Sequence, residues 1–376
     1  MSTVKLILAE LRKEKGVTQS ELANFLGVSF QSVSKWENGT TMPDITLLPK
    51  IAEYFQVSVD EILGLKPLRD REYISRGTDS KDHWNNKLSY LKNSRILMWN
   101  DDYLEFLVNR VWKINKPVNI IDFGCGYGYL GMVLLPILPK GSTYTGVDIS
   151  DTLLSEAKTI FAESEYKTEF IECDLNLFSV KGKYDIAICQ ALLRHLPNPK
   201  DILKKMVDSV TVNGMVICIE VNREFENAGL YIKGMEYNSF GTTAVFQKLW
   251  KNELAKEGRD YSIGLKVPFY MQECGLYDID IRINDKVNLI NPYENKNEYS
   301  KLFNSLLATK GWNRPLSHNE KESIINHFMN RGLTRAEAEI YVKAEVETSQ
   351  YLMENKENVF ALSTLCLLVS YGTKKN

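Results

Sequence analysis

Apolar positions across residues 4–64 recur at helical spacing. Val4, Ile7, Leu8 and Leu11 share one face of a segment running from Val4 to Lys15, and Gly16 supplies the left-handed residue that stops it. Thr18-Gln19-Ser20-Glu21 is a capping box, in which the Thr18 and Glu21 side chains each satisfy a free backbone N–H. It opens a helix that turns Leu22, Ala23 and Leu26 inward. Gly27 makes a tight turn, Ser29 caps a helix from Phe30 to Asn38, and Gly39 ends it. Asp44 caps a fourth helix, apolar at Leu47, Leu48, Ile51 and Ala52, and the box Ser58-Val59-Asp60-Glu61 starts a fifth. Residues 1–65 are therefore expected to form a small all-α domain.

The pattern then changes. Residues 66–93 are polar and charged and suit a linker with a short helix, and Ser94–Ile114 carries a stripe of Leu97, Tyr103, Leu104, Leu107, Val108 and Val111. Beyond it, strands predicted at Val118–Phe123, Thr143–Val147, Glu169–Cys173, Tyr184–Cys189 and Met215–Glu220 alternate with helices at Tyr129–Leu138 and Thr152–Phe161. Val212-Asn213-Gly214 reads as the turn before the fifth strand. Such alternation is the mark of the α/β class, a Rossmann-like parallel sheet covered on both faces. The division expected is 1–65, a basic linker 66–94, and an α/β domain 95–376 with helical insertions at about 224–275 and 297–356. Ser317-His318-Asn319-Glu320 and Thr334-Arg335-Ala336-Glu337 are capping boxes in the second insertion, with a helix from Thr334 to about Glu354.

Composition narrows the chemistry. With 376 residues and 44% hydrophobic content the chain can bury full cores without cross-links. The six cysteines, Cys125, Cys173, Cys189, Cys218, Cys274 and Cys366, form no C-x-x-C pair, no histidine stands at zinc-ligand spacing, and no metal site is expected. The longest apolar runs, Tyr129–Leu138 and Ala361–Ser370, reach about half the ~20 residues of a membrane span. With no secretory leader, a cytoplasmic location without membrane is expected. Net charge is −2, but Lys66–Arg95 holds eight basic and four acidic side chains. That segment suits either phosphate contact or a solvated linker.

Two helices joined by a glycine turn form the unit that lays its second helix in a DNA major groove. Gln19-Ser20-Glu21-Leu22-Ala23, Gly27-Val28-Ser29 and Val33-Ser34-Lys35-Trp36-Glu37-Asn38-Gly39 resemble the phage-repressor (Cro-type, xenobiotic-response-element) helix-turn-helix family. The resemblance implies double-stranded DNA as a partner through residues 1–65, and a homodimer on paired half-sites. Gln19 would hold a phosphate. Gln31, Ser32 and Lys35 would reach base edges, and Phe30 would meet a thymine methyl or pack. Val33 and Trp36 would face the core. A domain kept for protein contacts is the alternative, because residues 1–65 carry net −2.

In open α/β sheets ligands bind beyond the carboxyl ends of the strands. Here the first strand runs into Gly124-Cys125-Gly126-Tyr127-Gly128, the second ends in Asp148, the third in Asp174 and the fourth in Gln190. A dinucleotide fingerprint would place its third glycine at Tyr129, but Gly128 arrives one residue early. Together with Asp122 and Asp174, the run Asp122-Phe123-Gly124-Cys125-Gly126-Tyr127-Gly128 resembles the class I S-adenosylmethionine (SAM)-dependent methyltransferases. That resemblance implies SAM as cofactor. The backbone of Gly124, Cys125 and Gly126 would lie near its amino-acid part, and Asp122 and Gly128 would also belong to the cofactor site. Asp148 would hold the ribose with Ile149 beside the adenine, Asp174 and Leu175 would flank the adenine, and Gln190 would line the floor by the methyl. It also implies two more strands, which Leu276–Ile283 and Phe360–Tyr371 fit.

A methyl acceptor is harder to read. His195, in Gln190-Ala191-Leu192-Leu193-Arg194-His195-Leu196-Pro197, is either a general base or a structural cap; similar runs occur in ubiquinone-biosynthesis-like enzymes. Glu220, Asn222 and Arg223 follow the fifth strand and form either the catalytic mouth or a salt-bridged loop. No Asp/Asn-Pro-Pro-aromatic run follows the fourth strand and no Pro-Cys nucleophile is present, which argues against methylation of DNA bases. The expected acceptor is a small molecule, with the DNA module regulating transcription. A SAM- or metabolite-sensing regulator without catalysis, and an RNA methyltransferase, are the alternatives. Aromatics of the insertions (Tyr231, Tyr237, Phe240, Phe246, Trp250, Tyr261, Phe269 and Tyr270) would line the acceptor pocket or pack a helical core.

Overall fold

Local cap chemistry sets the N-terminal helices. In the computed structural model, which describes residues 6–65, 73–78, 80–236 and 243–375, helices span Leu8–Glu14, Gln19–Leu26, Phe30–Glu37, Leu48–Phe55 and Val59–Ile62. The capping boxes at Thr18/Glu21 and Ser58/Glu61 are both reciprocated, and Ser29 accepts from the Ser32 N–H. Asp44 caps a short 3-10 turn, Ile45–Leu47, that leads into the fourth helix. Leu8, Leu22, Val33, Ile51 and Ile62 are fully enclosed and Trp36 nearly so, making one apolar core. The expected contributions of Val4, of Tyr237 and Phe240, and of the basic residues Lys66, Arg69 and Arg71 lie outside the described residues.

The chain divides into two compact units that are discontinuous in sequence: residues 1–75, 242–252 and 315–347 form one, and 76–241, 253–314 and 348–376 the other. Part of each insertion thus packs with the helix-turn-helix. Within that unit Phe246 stacks on Trp250 and meets Tyr341 edge-on, Lys248 pairs with Glu337 at 2.7 Å, and the Ile74 N–H donates to the Asn330 carbonyl. The capping box at Ser317/Glu320 is present as expected.

The second unit is built on a seven-stranded sheet. Its strands are β1 Asn119–Phe123, β2 Thr143–Asp148, β3 Lys167–Glu172, β4 Tyr184–Gln190, β5 Val210–Val221, β7 Leu276–Ile283 and β10 Leu367–Lys374, in the order β3-β2-β1-β4-β5-β10-β7. β1 to β5 are parallel, and β10 runs antiparallel between β5 and β7. Both faces are covered. Ile186, Ile188, Ile217 and Ile219 point to one core, and Ala187, Cys189, Val216 and Cys218 to the other. Burial on both faces explains why these strands read as continuous apolar runs. A second, small sheet has the strands β6 Leu230–Ile232, β9 Ala361–Ser363 and β8 Asn288–Ile290, in the spatial order β6-β9-β8.

Four elements differ from expectation. Ser94–Ile114 is broken: a helix ends at Ile96, and a new one, Asp101–Phe106, starts behind an extended Asn100 with Asp101 and Asp102 in its first turn. The helix after the glycine loop stops at Leu134: Leu135 keeps helical dihedrals (φ −56°, ψ −38°), but Pro136 has no N–H with which to continue the ladder. Val212-Asn213-Gly214 lies inside β5, where the register with β4 jumps from Tyr184↔Val210 to Ile186↔Met215 and Asn213 has φ 63°. Phe360–Tyr371 is two strands in two sheets, separated by a turn in which Cys366 has φ 48°.

Candidate functional site

The carboxyl ends of β1 to β3 carry the polar groups that sequence singled out. Gly124, Gly126 and Gly128 have φ of 71°, 55° and 80°, a conformation that glycine adopts without strain. A Cβ on Gly124 would also come within 2.7 Å of the Leu192 Cδ1. The loop is folded inward. Gly124 and Cys125 donate to the Val147 carbonyl at 2.8 and 3.1 Å, Gly126 donates to Asp148 Oδ2 at 2.8 Å, and Gly128 donates to the Cys125 carbonyl. With these four N–H groups occupied, the loop offers no nest for a pyrophosphate.

Acceptors at the rim remain open. Asp148 is buried; each oxygen takes one backbone N–H, from Gly126 and from Ser150, so each keeps a second lone-pair site. Burial raises its carboxyl, and the backbone N–H groups of Ser150, Gly126 and Ile149 pull the other way. Ile149 beside it is half-buried, and Leu175 is buried. Asp174 Oδ1 accepts from the Asn176 backbone and side chain, leaving Oδ2 to the rim. Asp122 accepts from the Tyr144 hydroxyl at 2.5 Å through Oδ2, while its buried Oδ1 has no partner. Burial holds its carboxyl at about 7, against the Tyr144 hydrogen bond. Cys125 is buried, with its thiol pushed well up by burial and by Asp148. Gln190 is held from two sides: it accepts from Trp99 Nε1 at 3.2 Å and donates to Met98 Sδ at 3.0 Å.

These residues fit a SAM molecule. Two diol hydroxyls match the two open sites of Asp148, an ammonium matches the orphaned Asp122 Oδ1, and the bare glycine backbone admits close approach.

In the helix-turn-helix unit, Gln31 and Lys35 are exposed, Phe30 is 48% exposed, and Ser32 is half-buried with its hydroxyl 2.9 Å from that of Ser29. Gln19 instead donates its side-chain amide to Glu37 at 2.7 Å, and Glu37 also binds Arg12 at 2.6 Å. The Gln19 amide is therefore engaged within the domain.

A helix-turn-helix family model matches residues 8–62, and a methyltransferase domain model matches residues 114–260. The chain joins an N-terminal helix-turn-helix domain to a SAM-dependent methyltransferase domain. Ubiquinone biosynthesis O-methyltransferase of Coxiella burnetii is 25% identical over 169 residues, 45% of this chain and 69% of that protein. Its counterpart in Rickettsia felis is 26% identical over 190 residues, 50% of this chain and 71% of that protein. Among solved structures, a phosphoethanolamine N-methyltransferase 2 of Haemonchus contortus with S-adenosyl-L-methionine aligns at 13% identity with TM-score 0.43, over 81% of this chain and 60% of that one. No helix among the described residues is long and apolar enough to cross a membrane.

The methyltransferase domain has a second polar cluster, beyond β4 and β5. Ala191 turns the chain at φ 54°. The Leu192 and Leu193 N–H groups then donate to Glu220 Oε1 at 3.0 and 2.7 Å, so Glu220 fastens the loop. Burial holds its carboxyl at about 7, with Arg194 opposing. Arg194 Nε donates to His195 Nε2 at 3.1 Å, and His195 meets Trp84 edge-on. Burial, then Arg194 and Arg223, push His195 well below its usual range. Arg223 pairs with Glu226 at 2.5 Å, and Lys310 approaches Glu226 at 3.6 Å. Burial pulls Glu226 up, but Arg223 and Lys310 outweigh it and hold the carboxyl at about 2.

Sequence reasoning missed three contributors: Arg95, Met98 and Trp99. Arg95 donates to Met98 Sδ and has Tyr127, Tyr90, Tyr129 and Asp122 as its electrostatic neighbours. The signal was present in Asn100-Asp101-Asp102, a helix start that frees the residues before it to cross the sheet rim.

Proposed function

We propose that the whole chain is a DNA-addressed enzyme that transfers a methyl group from SAM to a small-molecule acceptor. The observation that carries this reading is the rim itself: a glycine loop closed to phosphate, flanked by unfilled acceptor sites on Asp148 and Asp174 and by the buried, unpartnered Oδ1 of Asp122. SAM supplies a methyl already activated on a sulfonium; the acceptor gains it, a thioether is released, and the acceptor's proton leaves to solvent. The chain's task is alignment, which can supply roughly 7–11 kcal/mol of the barrier. Asp148 binds the ribose hydroxyls with Ile149 beside the base, Asp174 and Leu175 hold the adenine, and Asp122 takes the ammonium. The backbone of Gly124, Cys125, Gly126 and Gly128 gives the closest approach. Arg95 is the counter-ion for the carboxylate. Gln190, fixed by Trp99 and Met98, forms the floor below the methyl. Incubation with methyl-labelled SAM and cell extract should put label into a small organic-soluble product. Label in RNA, or tight SAM binding without transfer, would overturn it.

The helix-turn-helix is of the phage-repressor type in this reading. It binds as a homodimer and represses the protein's own operon. Gln31 and Lys35 are exposed on the helix that would enter the major groove, with Val33 and Trp36 turned inward. Replacing both, Gln31→Ala with Lys35→Ala, should weaken binding to a fragment from upstream of its own gene by about 2 kcal/mol or more. Gel-shift titration reads this, and unchanged affinity would remove the assignment.

A further inference from the structure

The loop after β4 contains two buried hydrogen-bond donors that have no partner among the described residues. Arg194 is 6% exposed and His195 9%. Arg194 uses Nε on His195 Nε2, and its Nη1 has no partner. Because His195 Nε2 accepts, the neutral ring carries its proton on Nδ1, and that atom also has no partner. Among the described residues Arg194 makes no direct ion pair: Glu226 and Glu220 act on it only at longer range, since Glu220 Oε1 is spent on the loop backbone and Glu226 on Arg223 and Lys310. A buried guanidinium whose Nη1 donor is left unpaired is costly, and such a group persists where something else completes it.

Its place in the sheet says what that is. The order β3-β2-β1-β4-β5 sets Asp174 and Asp148 on one side of the glycine loop and the loop after β4 on the other. The adenosyl end of a cofactor faces the first side, so Arg194 and His195 lie on the acceptor side. We propose that the methyl acceptor carries an anionic oxygen group, a carboxylate or a phosphate, held by Arg194 Nη1 and His195 Nδ1. This deepens the methyl-transfer reading and rests on it. Arg223, Arg259 and Arg76 add to the positive field around His195. The His195 lone pair is engaged by Arg194, so the ring serves as a donor to the acceptor's anion.

The test uses the full-length protein saturated with S-adenosylhomocysteine, titrated calorimetrically with inorganic phosphate and with benzoate at constant ionic strength. One of the two should bind, and which one does separates a phosphorylated from a carboxylated acceptor. Arg194→Gln should weaken that binding by about ten-fold or more, leave S-adenosylhomocysteine affinity unchanged, and raise the melting temperature of the ligand-free protein. Should Arg194→Gln fail to fold, His195→Phe supplies the same anion test through loss of the second donor. Failure of both anions to bind, or full binding retained in the variants, would overturn the proposal. Parallel loss of S-adenosylhomocysteine affinity would also overturn it, by assigning Arg194 to the cofactor's own carboxylate. No S-adenosylhomocysteine uptake by the wild type would instead strike the methyl-transfer reading.

Discussion

Replacing Asp148 by alanine should lower S-adenosylhomocysteine affinity by about 100-fold, close to 3 kcal/mol. The side chain has two functions there. It offers the two open sites assigned to the ribose, and it ties Gly126 to the start of the Asp151–Phe161 helix through the Gly126 and Ser150 N–H groups. Removing it deletes the ribose acceptors and leaves two buried donors unpaired. Asp148→Asn should do nearly as badly. Both carboxylate oxygens face backbone N–H groups, so an amide must set its NH2 against one of them. Calorimetry on the full chain checks both variants. Affinity within three-fold of wild type in either one would remove Asp148 from the cofactor site.

The parts of this molecule that were legible in sequence are those whose chemistry is local. A capping box needs only two side chains three residues apart, and Thr18/Glu21, Ser58/Glu61 and Ser317/Glu320 all close. Strands buried on both faces announce themselves by unbroken apolar runs, and the polar residues ending β2 and β4 stand at the rim they define. The failures have a common cause as well. Val212-Asn213-Gly214 has turn composition, but pairing of β5 with β4 on both flanks, at Val210 and again from Met215, keeps it within the strand as a bulge. Phe360–Tyr371 has strand composition throughout, yet two different sheets compete for it. The discontinuous units and the unpaired donors of Arg194 and His195 depend on which distant segments pack together. No window of sequence contains that information.

The methyltransferase domain should become less stable between pH 4.5 and 7.5 through Asp122 and Glu220. Both are buried carboxyls held at about 7 in the folded chain. When unfolded they ionise near their ordinary values of about 4. Below those values both states are protonated and nothing is lost. As pH rises, the unfolded chain releases its protons first, and stability falls until the folded pKa is passed. The full loss is on the order of 3–4 kcal/mol for each group. Asp148, also raised by burial, adds in the same direction. His195 opposes them: held neutral when folded, it costs stability as pH falls below the ordinary histidine value. Glu226, depressed to about 2, contributes stability above its ordinary pKa that is lost in stronger acid. The wild-type curve is thus a sum, and the difference between variant and wild type isolates each share. Asp122→Asn and Glu220→Gln should match wild type at pH 4.5 and melt progressively higher than it as pH rises to 7.5. A difference that stays flat across this range in scanning calorimetry would mean that these carboxyls are not held protonated. A cation delivered to the orphaned Asp122 Oδ1 favours the carboxylate, so S-adenosylhomocysteine should shrink the Asp122 share of the slope and leave the Glu220 share in place. That separation ties the stability of the apo fold to the group its rim is built to receive.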